Sequence, residues 1–164
     1  MQRLAFGVVG ALAFLSLASP ASALPDGPIE PYLEHQEQVV PFVWPAHGSV
    51  TDGFGMRWGR LHSGIDIGVL ASLDVVAARA GVVTATGYLT GFEGYGNVVL
   101  VDLGRGLSAL YAHLAQIDVG VGQWVSGGQH LGLAGCTGSC TGTHLHFELR
   151  RRGTAVDPLP YFHS

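Results

Sequence analysis

The sequence predicts an all-β domain of packed antiparallel sheets, and three observations carry that expectation. From Phe42 onward, short apolar runs recur about every ten residues with turn residues between them, the spacing of hairpin-connected strands. Glycine occurs 25 times in 164 residues and clusters as Gly53-Phe54-Gly55, Gly94-Tyr95-Gly96 and Gly127-Gly128, which marks tight turns. No helical periodicity competes in this part of the chain. The length suits one domain with one core, and 48% hydrophobic against 12% charged residues excludes a disordered chain.

Residues 1–23 read as an export signal: Arg3 gives the positive start, residues 4–17 the apolar run, and Ala21-Ser22-Ala23 the cleavage site. The run falls short of the roughly 20 apolar residues of a membrane-spanning helix. Cleavage would therefore release a chain without a membrane span, secreted or held in the cell envelope; an uncleaved anchor is the alternative. Residues 24–40 form an acidic lead-in interrupted by Pro25, Pro28 and Pro31. It is either a solvated arm or an inhibitory flap whose His35, or a neighbouring glutamate, reaches a metal site. Residues 41–164 then make the folded domain. After cleavage seven arginines face twelve acids, a net charge of −5 with no lysine at all. Phosphate binding needs clustered positive charge, so nucleic acid is excluded as a partner.

Within the domain, the turn-rich segment 48–55 leads into an extended stretch through His62 and Asp66, which share a face if the chain is a strand there. Further strands are expected at 75–79, 81–88, 97–103, 107–114, 123–125, 130–134 and 144–150. In the last of these, period-two alternation puts His144, His146 and Glu148 on one face and Leu145, Phe147 and Leu149 on the other. In 107–114, Leu110, Ala112 and Leu114 share one face, Tyr111 and His113 the other.

Two imidazoles aimed the same way from a rigid strand suit a metal, although His-x-His alone also describes a half-buried strand with a solvated face. Asp66, between Ile65 and Ile67, needs a partner if buried, because an unpaired buried charge is expensive. His62, Asp66 and His146 supply two nitrogens and one oxygen, the three-ligand set of a catalytic zinc site that keeps a fourth position open. His113 and His144 remain as imidazoles for proton transfer, and hydrolysis of an amide is the natural reaction.

Five ordered motifs, Gly53-Phe54-Gly55-Met56-Arg57, His62-Ser63-Gly64-Ile65-Asp66-Ile67, Gly94-Tyr95-Gly96-Asn97, Leu110-Tyr111-Ala112-His113-Leu114 and Thr143-His144-Leu145-His146-Phe147-Glu148, resemble the lysostaphin-type (LytM-like) zinc endopeptidases of bacterial cell walls. The resemblance runs from about residue 42 to 161. It implies a β-sheet groove, one zinc on His62, Asp66 and His146, catalytic roles for His113 and His144, and peptidoglycan as substrate. Thr143 stands where the family usually has proline, and Leu103 where many members have histidine. A noncatalytic wall-binding or hydrolase-activating module on the same fold is the alternative; the complete set of five residues argues for the enzyme.

Cys136 and Cys140 are the only cysteines, and export favours their pairing; a structural zinc site with His144 and His146 is the rival. Residues 150–153 are expected to form a solvated hairpin turn, a grip on anionic wall polymers being the alternative, and Trp44, Trp58 and Trp124 to serve in packing rather than as sugar platforms, with Trp58, among Arg57 and Arg60, the one that could line a groove. The segment 119–132 looks like a hairpin of biotinyl and lipoyl carrier domains, but those attach their cofactor to a lysine.

Overall fold

Thirteen strands, all antiparallel where they pair, organise residues 41–162, which are the residues the computed structural model describes. The expected signal segment, lead-in and flap lie outside them. The strands are β1 (Ser49–Asp52), β2 (Gly55–Arg57), β3 (Arg60–His62), β4 (Ile65–Gly68), β5 (Asp74–Val76), β6 (Gly81–Tyr88), β7 (Asn97–Gly104), β8 (Leu107–Ala112), β9 (Leu114–Ile117), β10 (Trp124–Val125), β11 (His130–Ala134), β12 (Leu145–Arg151) and β13 (Thr154–Val156). An eight-stranded sheet runs β1-β4-β12-β8-β7-β6-β10, with β13 paired to β12; β5-β11-β9 form a second sheet and the hairpin β2-β3 a third. The expected all-β class of packed antiparallel sheets is what the chain adopts.

Alternation builds the core. Leu145, Phe147 and Leu149 from β12, Ile65 and Ile67 from β4, and Val99 and Val101 from β7 are buried in one cluster with Val75, Leu114, Leu131 and Ala134 of the second sheet. Full burial of a side chain such as Ile65 or Phe147 is worth about 1.5–3 kcal/mol. The opposite face of the large sheet carries a smaller cluster, Val98, Leu110 and Ala112, covered by Leu89, Phe92 and Tyr95 from the β6–β7 connection. On this second face the polar residues of β12 also lie.

Three expectations are corrected. The stretch 107–114 is not one strand. His113 has φ of 60°, a left-handed conformation that costs a non-glycine residue about 1–2 kcal/mol and ends the pleat between β8 and β9. The alternation resets there, so Leu114 joins Tyr111 in the main core while Leu110 and Ala112 face the other way. His113 is thus the corner at which the chain leaves one sheet for another. The extended stretch through His62 and Asp66 is likewise two strands: β3 ends at His62, and β4 begins at Ile65. Of the three tryptophans, Trp44 packs as expected, stacked on Phe162 at 4.3 Å between ring centroids, whereas Trp58 is 97% exposed and Trp124 63%.

Candidate metal centre and catalytic groove

The site is assembled from β3, β4 and β12 on the second face of the large sheet. Asp66 and His146 are direct partners in the β4–β12 register, so both side chains leave the sheet side by side. His62 comes from the β2–β3 hairpin, whose two turn residues, Trp58 (φ 44°) and Gly59 (φ 80°), have the conformation of a two-residue hairpin loop. Between β3 and β4 the chain presses against β12 at Gly64, where a Cβ would lie 2.2 Å from the Phe147 carbonyl oxygen. Only glycine permits this crossing, and it sets the hairpin over the sheet.

Three ligand-type atoms converge there. His146 Nδ1 lies 2.7 Å and His62 Nε2 3.2 Å from Asp66 Oδ1, and the two nitrogens are 3.1 Å apart. Donors bound to one zinc at 2.0–2.1 Å in a tetrahedron sit about 3.3 Å from each other, so this cluster has the size and the chemistry to hold such an ion. The remaining ring nitrogens fix the tautomers. His62 Nδ1–H donates to the Gly53 carbonyl (2.7 Å), leaving Nε2 to face the cluster. His146 Nε2–H donates to Glu148 Oε1 (3.1 Å), leaving Nδ1 to do so. Arg57 braces the hairpin by donating to the Gly53 carbonyl (2.8 Å), pairing with Asp52 and lying against His62 Nδ1.

Glu148 is the buried hub beneath the site. It has no exposed surface, and it accepts from His146 Nε2, Arg150 Nε (2.6 Å), Tyr95 OH (2.7 Å) and Ser63 Oγ. Burial alone would raise its pKa; bonds from His146, Arg150, Ser63 and Tyr95 outweigh that and hold the carboxyl at about 2. Burial also opposes ionisation of Asp66, but the neighbouring histidines, His146 foremost, bring its pKa below the usual range. For His146 burial disfavours the charged ring, yet Asp66 and Glu148 more than offset it, so a proton and a metal compete for Nδ1.

His113 and His144 form the opposite wall, their ring centroids 4.7 Å apart. His113 Nδ1–H donates to the Thr137 carbonyl (2.7 Å), and its backbone N–H to the Tyr95 carbonyl (2.9 Å). Burial, the largest influence, depresses its pKa and keeps the ring neutral. His144 Nδ1–H donates to the Gly142 carbonyl (2.7 Å), and its Nε2 lies 3.7 Å from Asp66 Oδ1. A cavity of about 350 Å³ opens between the walls, bounded by Arg60, Tyr95 and Ser139–Thr141 as well as the four histidines and Asp66. The structure thus brings together all five residues singled out in the sequence.

Cys136 and Cys140 are joined in a disulfide, which removes the rival structural zinc site. The small loop they close carries Thr137, whose Oγ1 donates to the Leu114 carbonyl (3.0 Å) and accepts from Asn97 N (2.9 Å). The turn at Arg152-Gly153 forms as expected, but Arg150 is not part of a solvated tip, being bound to Glu148. Sequence reasoning missed the hub role of Glu148, although its alternation with His144 and His146 pointed to the same face. It also missed Ser63, Tyr95 and the carbonyls of Gly53, Thr137 and Gly142.

A family model described as peptidase family M23 matches residues 60–158. Among curated proteins, the chain is 38% identical over 120 residues to a lipoprotein NlpD/LppB homolog of Pseudomonas aeruginosa (73% of this chain, 39% of that one). It is 41% identical over 100 residues to the DD-carboxypeptidase/endopeptidase Mpg of Neisseria meningitidis (61% and 22%). With the murein hydrolase activator NlpD of Salmonella dublin it shares 36% over 118 residues (72% and 30%). The chain thus spans less than half the length of these relatives. Among solved structures it is similar to the catalytic domain of the antimicrobial peptidase lysostaphin from Staphylococcus simulans, with TM-score 0.65 and 30% identity over 71% of this chain and 93% of that one. It is also similar to a zinc-containing peptidase of Vibrio cholerae, with TM-score 0.61 and 32% identity over 71% and 37%. Among the described residues no helix is long and apolar enough to cross a membrane.

Proposed function

Because the chain belongs to peptidase family M23, we propose that it is an exported zinc endopeptidase that hydrolyses cross-links or stem peptides of bacterial peptidoglycan. One observation carries the reading: three ligand-type atoms converge at the foot of an open cavity, and two further imidazoles, each fixed in one tautomer, face them across it. In this reading His62 Nε2, Asp66 Oδ1 and His146 Nδ1 hold the ion.

Zinc in that position supplies Lewis acidity, which lowers the pKa of water to near 7 and polarises a carbonyl. The chain's own residues do the rest. His113, kept neutral and bonded through Nδ1 to Thr137, offers the Nε2 lone pair to take a proton from the attacking water. The proton taken up by His113 is then passed to the departing amine through the neighbouring Nε2 of His144, as the C–N bond breaks and the C–O bond to the former water completes the carboxylate. The open cavity admits an extended peptide rather than enclosing a small molecule.

The second reading is a noncatalytic module that binds the wall or activates another hydrolase, and the 36% identity to a murein hydrolase activator favours it. Incubation of purified peptidoglycan with the exported protein, with and without chelator and with zinc restored, separates the two. New amine and carboxyl ends that disappear with chelator support the peptidase. Retained wall binding with no new ends on the zinc-loaded protein would replace it with the activator.

A further inference from the structure

The two arginines of the β2–β3 hairpin are cross-strand partners, Arg57 opposite Arg60, yet they are used differently. Arg57 is consumed inside the protein by Asp52 and the Gly53 carbonyl. Arg60 makes no ion pair or side-chain hydrogen bond among the described residues, and it borders the groove. Among the residues bounding that groove it is the one permanent cation, and Asp66, committed to the ligand cluster, is the one acid. Strand period places Arg60 on the same side of β3 as His62, two residues or about 7 Å away along the strand. The rigid two-residue turn holds it there.

We propose that Arg60 is a specificity-determining residue that grips a substrate carboxylate within about two residues of the scissile bond. This rests on the peptidase reading and narrows its substrate to peptides bearing a free carboxylate in that position, as against neutral bridging peptides. A guanidinium holds a carboxylate through two parallel N–H bonds, which a carboxamide cannot match. An extended peptide rises about 3.3 Å per residue, so a carboxylate at Arg60 falls one to two residues from a carbonyl at the ligand cluster.

The test uses zinc-loaded protein and two wall-derived cross-linked peptides, identical except that the carboxylate beside the scissile bond is free in one and a carboxamide in the other. Arg60→Gln should raise KM for the free acid about tenfold with kcat nearly unchanged, as expected for one charge-assisted contact at a solvated rim. The same variant should leave the amide almost untouched, and Arg60→Lys should recover part of the loss. Equal cleavage of acid and amide by the wild type, or equal loss on both in Arg60→Gln, would overturn the assignment. Should neither peptide be cleaved, the peptidase reading fails separately, and calorimetric binding of the same pair decides: preference for the acid that vanishes in Arg60→Gln supports the contact, and no preference removes it.

Discussion

Replacing Glu148 by glutamine probes how the buried hub supports the ligand cluster. The carboxylate is surrounded by donors only: His146 Nε2, Ser63 Oγ and Tyr95 OH on one oxygen and Arg150 Nε on the other. A glutamine amide fits worse either way round, because its NH₂ must face one of the two fixed donors, the Arg150 guanidinium or His146 Nε2–H, while only the Ser63 and Tyr95 hydroxyls can turn to accept. The interval between a carboxyl held at about 2 and the ordinary glutamate value of 4.5 corresponds to about 3 kcal/mol, close to the cost of breaking a buried ion pair. This folded value lies below the unfolded one, so the contribution is fully present above about pH 4.5 and is lost as pH falls toward 2. Glu148→Gln should therefore destabilise the protein by about 3 kcal/mol in urea unfolding at neutral pH. It should also weaken metal binding by about 10- to 100-fold in chelator competition, since a neutral amide supports His146 Nε2–H less strongly than the carboxylate does. Arg150→Gln should cost stability with a smaller loss of metal affinity, because His146 keeps its acceptor. A Glu148→Gln protein that unfolds and binds metal like the wild type would refute the account of the hub.

Other predictions follow from the groove walls and the second sheet. His113→Ala should lower kcat on peptidoglycan fragments by about 10²–10⁴-fold with metal content unchanged by elemental analysis, separating a proton-transfer role from a ligand role. The double variant Cys136→Ser/Cys140→Ser should lose about 2 kcal/mol of stability from opening so short a loop and should lower kcat, because the Thr137 carbonyl that aims His113 is no longer pinned; its metal affinity should stay at the wild-type value. His130 is bonded through Nε2 to Asp118 (2.8 Å) and through Nδ1 to Asp74, and these carboxylates raise its pKa. Its contribution is fully present below about pH 6.5 and fades as pH rises through the higher folded value, so the difference in melting temperature between wild type and His130→Gln should shrink from pH 5.5 to 8.5.

Much of this was legible in the sequence where a strand is long enough to show its period. β6 and β11 have the expected bounds, and the alternation of β12 places Leu145, Phe147 and Leu149 in the core as read. The segment 48–68 was not legible, because strands of three or four residues broken by Gly53, Gly55, Gly59 and Gly64 display too little period to be told from turns. Nor could alternation foresee a reset at His113, since a left-handed residue there is imposed by the meeting of two sheets. The five site residues stood out because their chemistry is carried by side-chain type. The groups that fix their tautomers did not, being backbone carbonyls, or being charged like Glu148, whose partners include Tyr95 from the distant 89–96 connection.

The three ligand-type residues do not stand on equal footing. Asp66 and His146 are neighbours in the continuous ladder of the large sheet, whereas His62 rides on a separate two-stranded hairpin held down by Arg57, Asp52 and the Gly53 carbonyl. In the proposed metal site two donors would thus stand on the sheet ladder, and the third on a hairpin fixed by side-chain and carbonyl contacts rather than by that ladder. Loosening the hairpin would then be expected to speed the release of a bound zinc while leaving the Asp66–His146 pair in place. Arg57→Gln or Asp52→Asn, which remove the contacts that hold the hairpin, should therefore shorten zinc residence time in chelator-exchange kinetics.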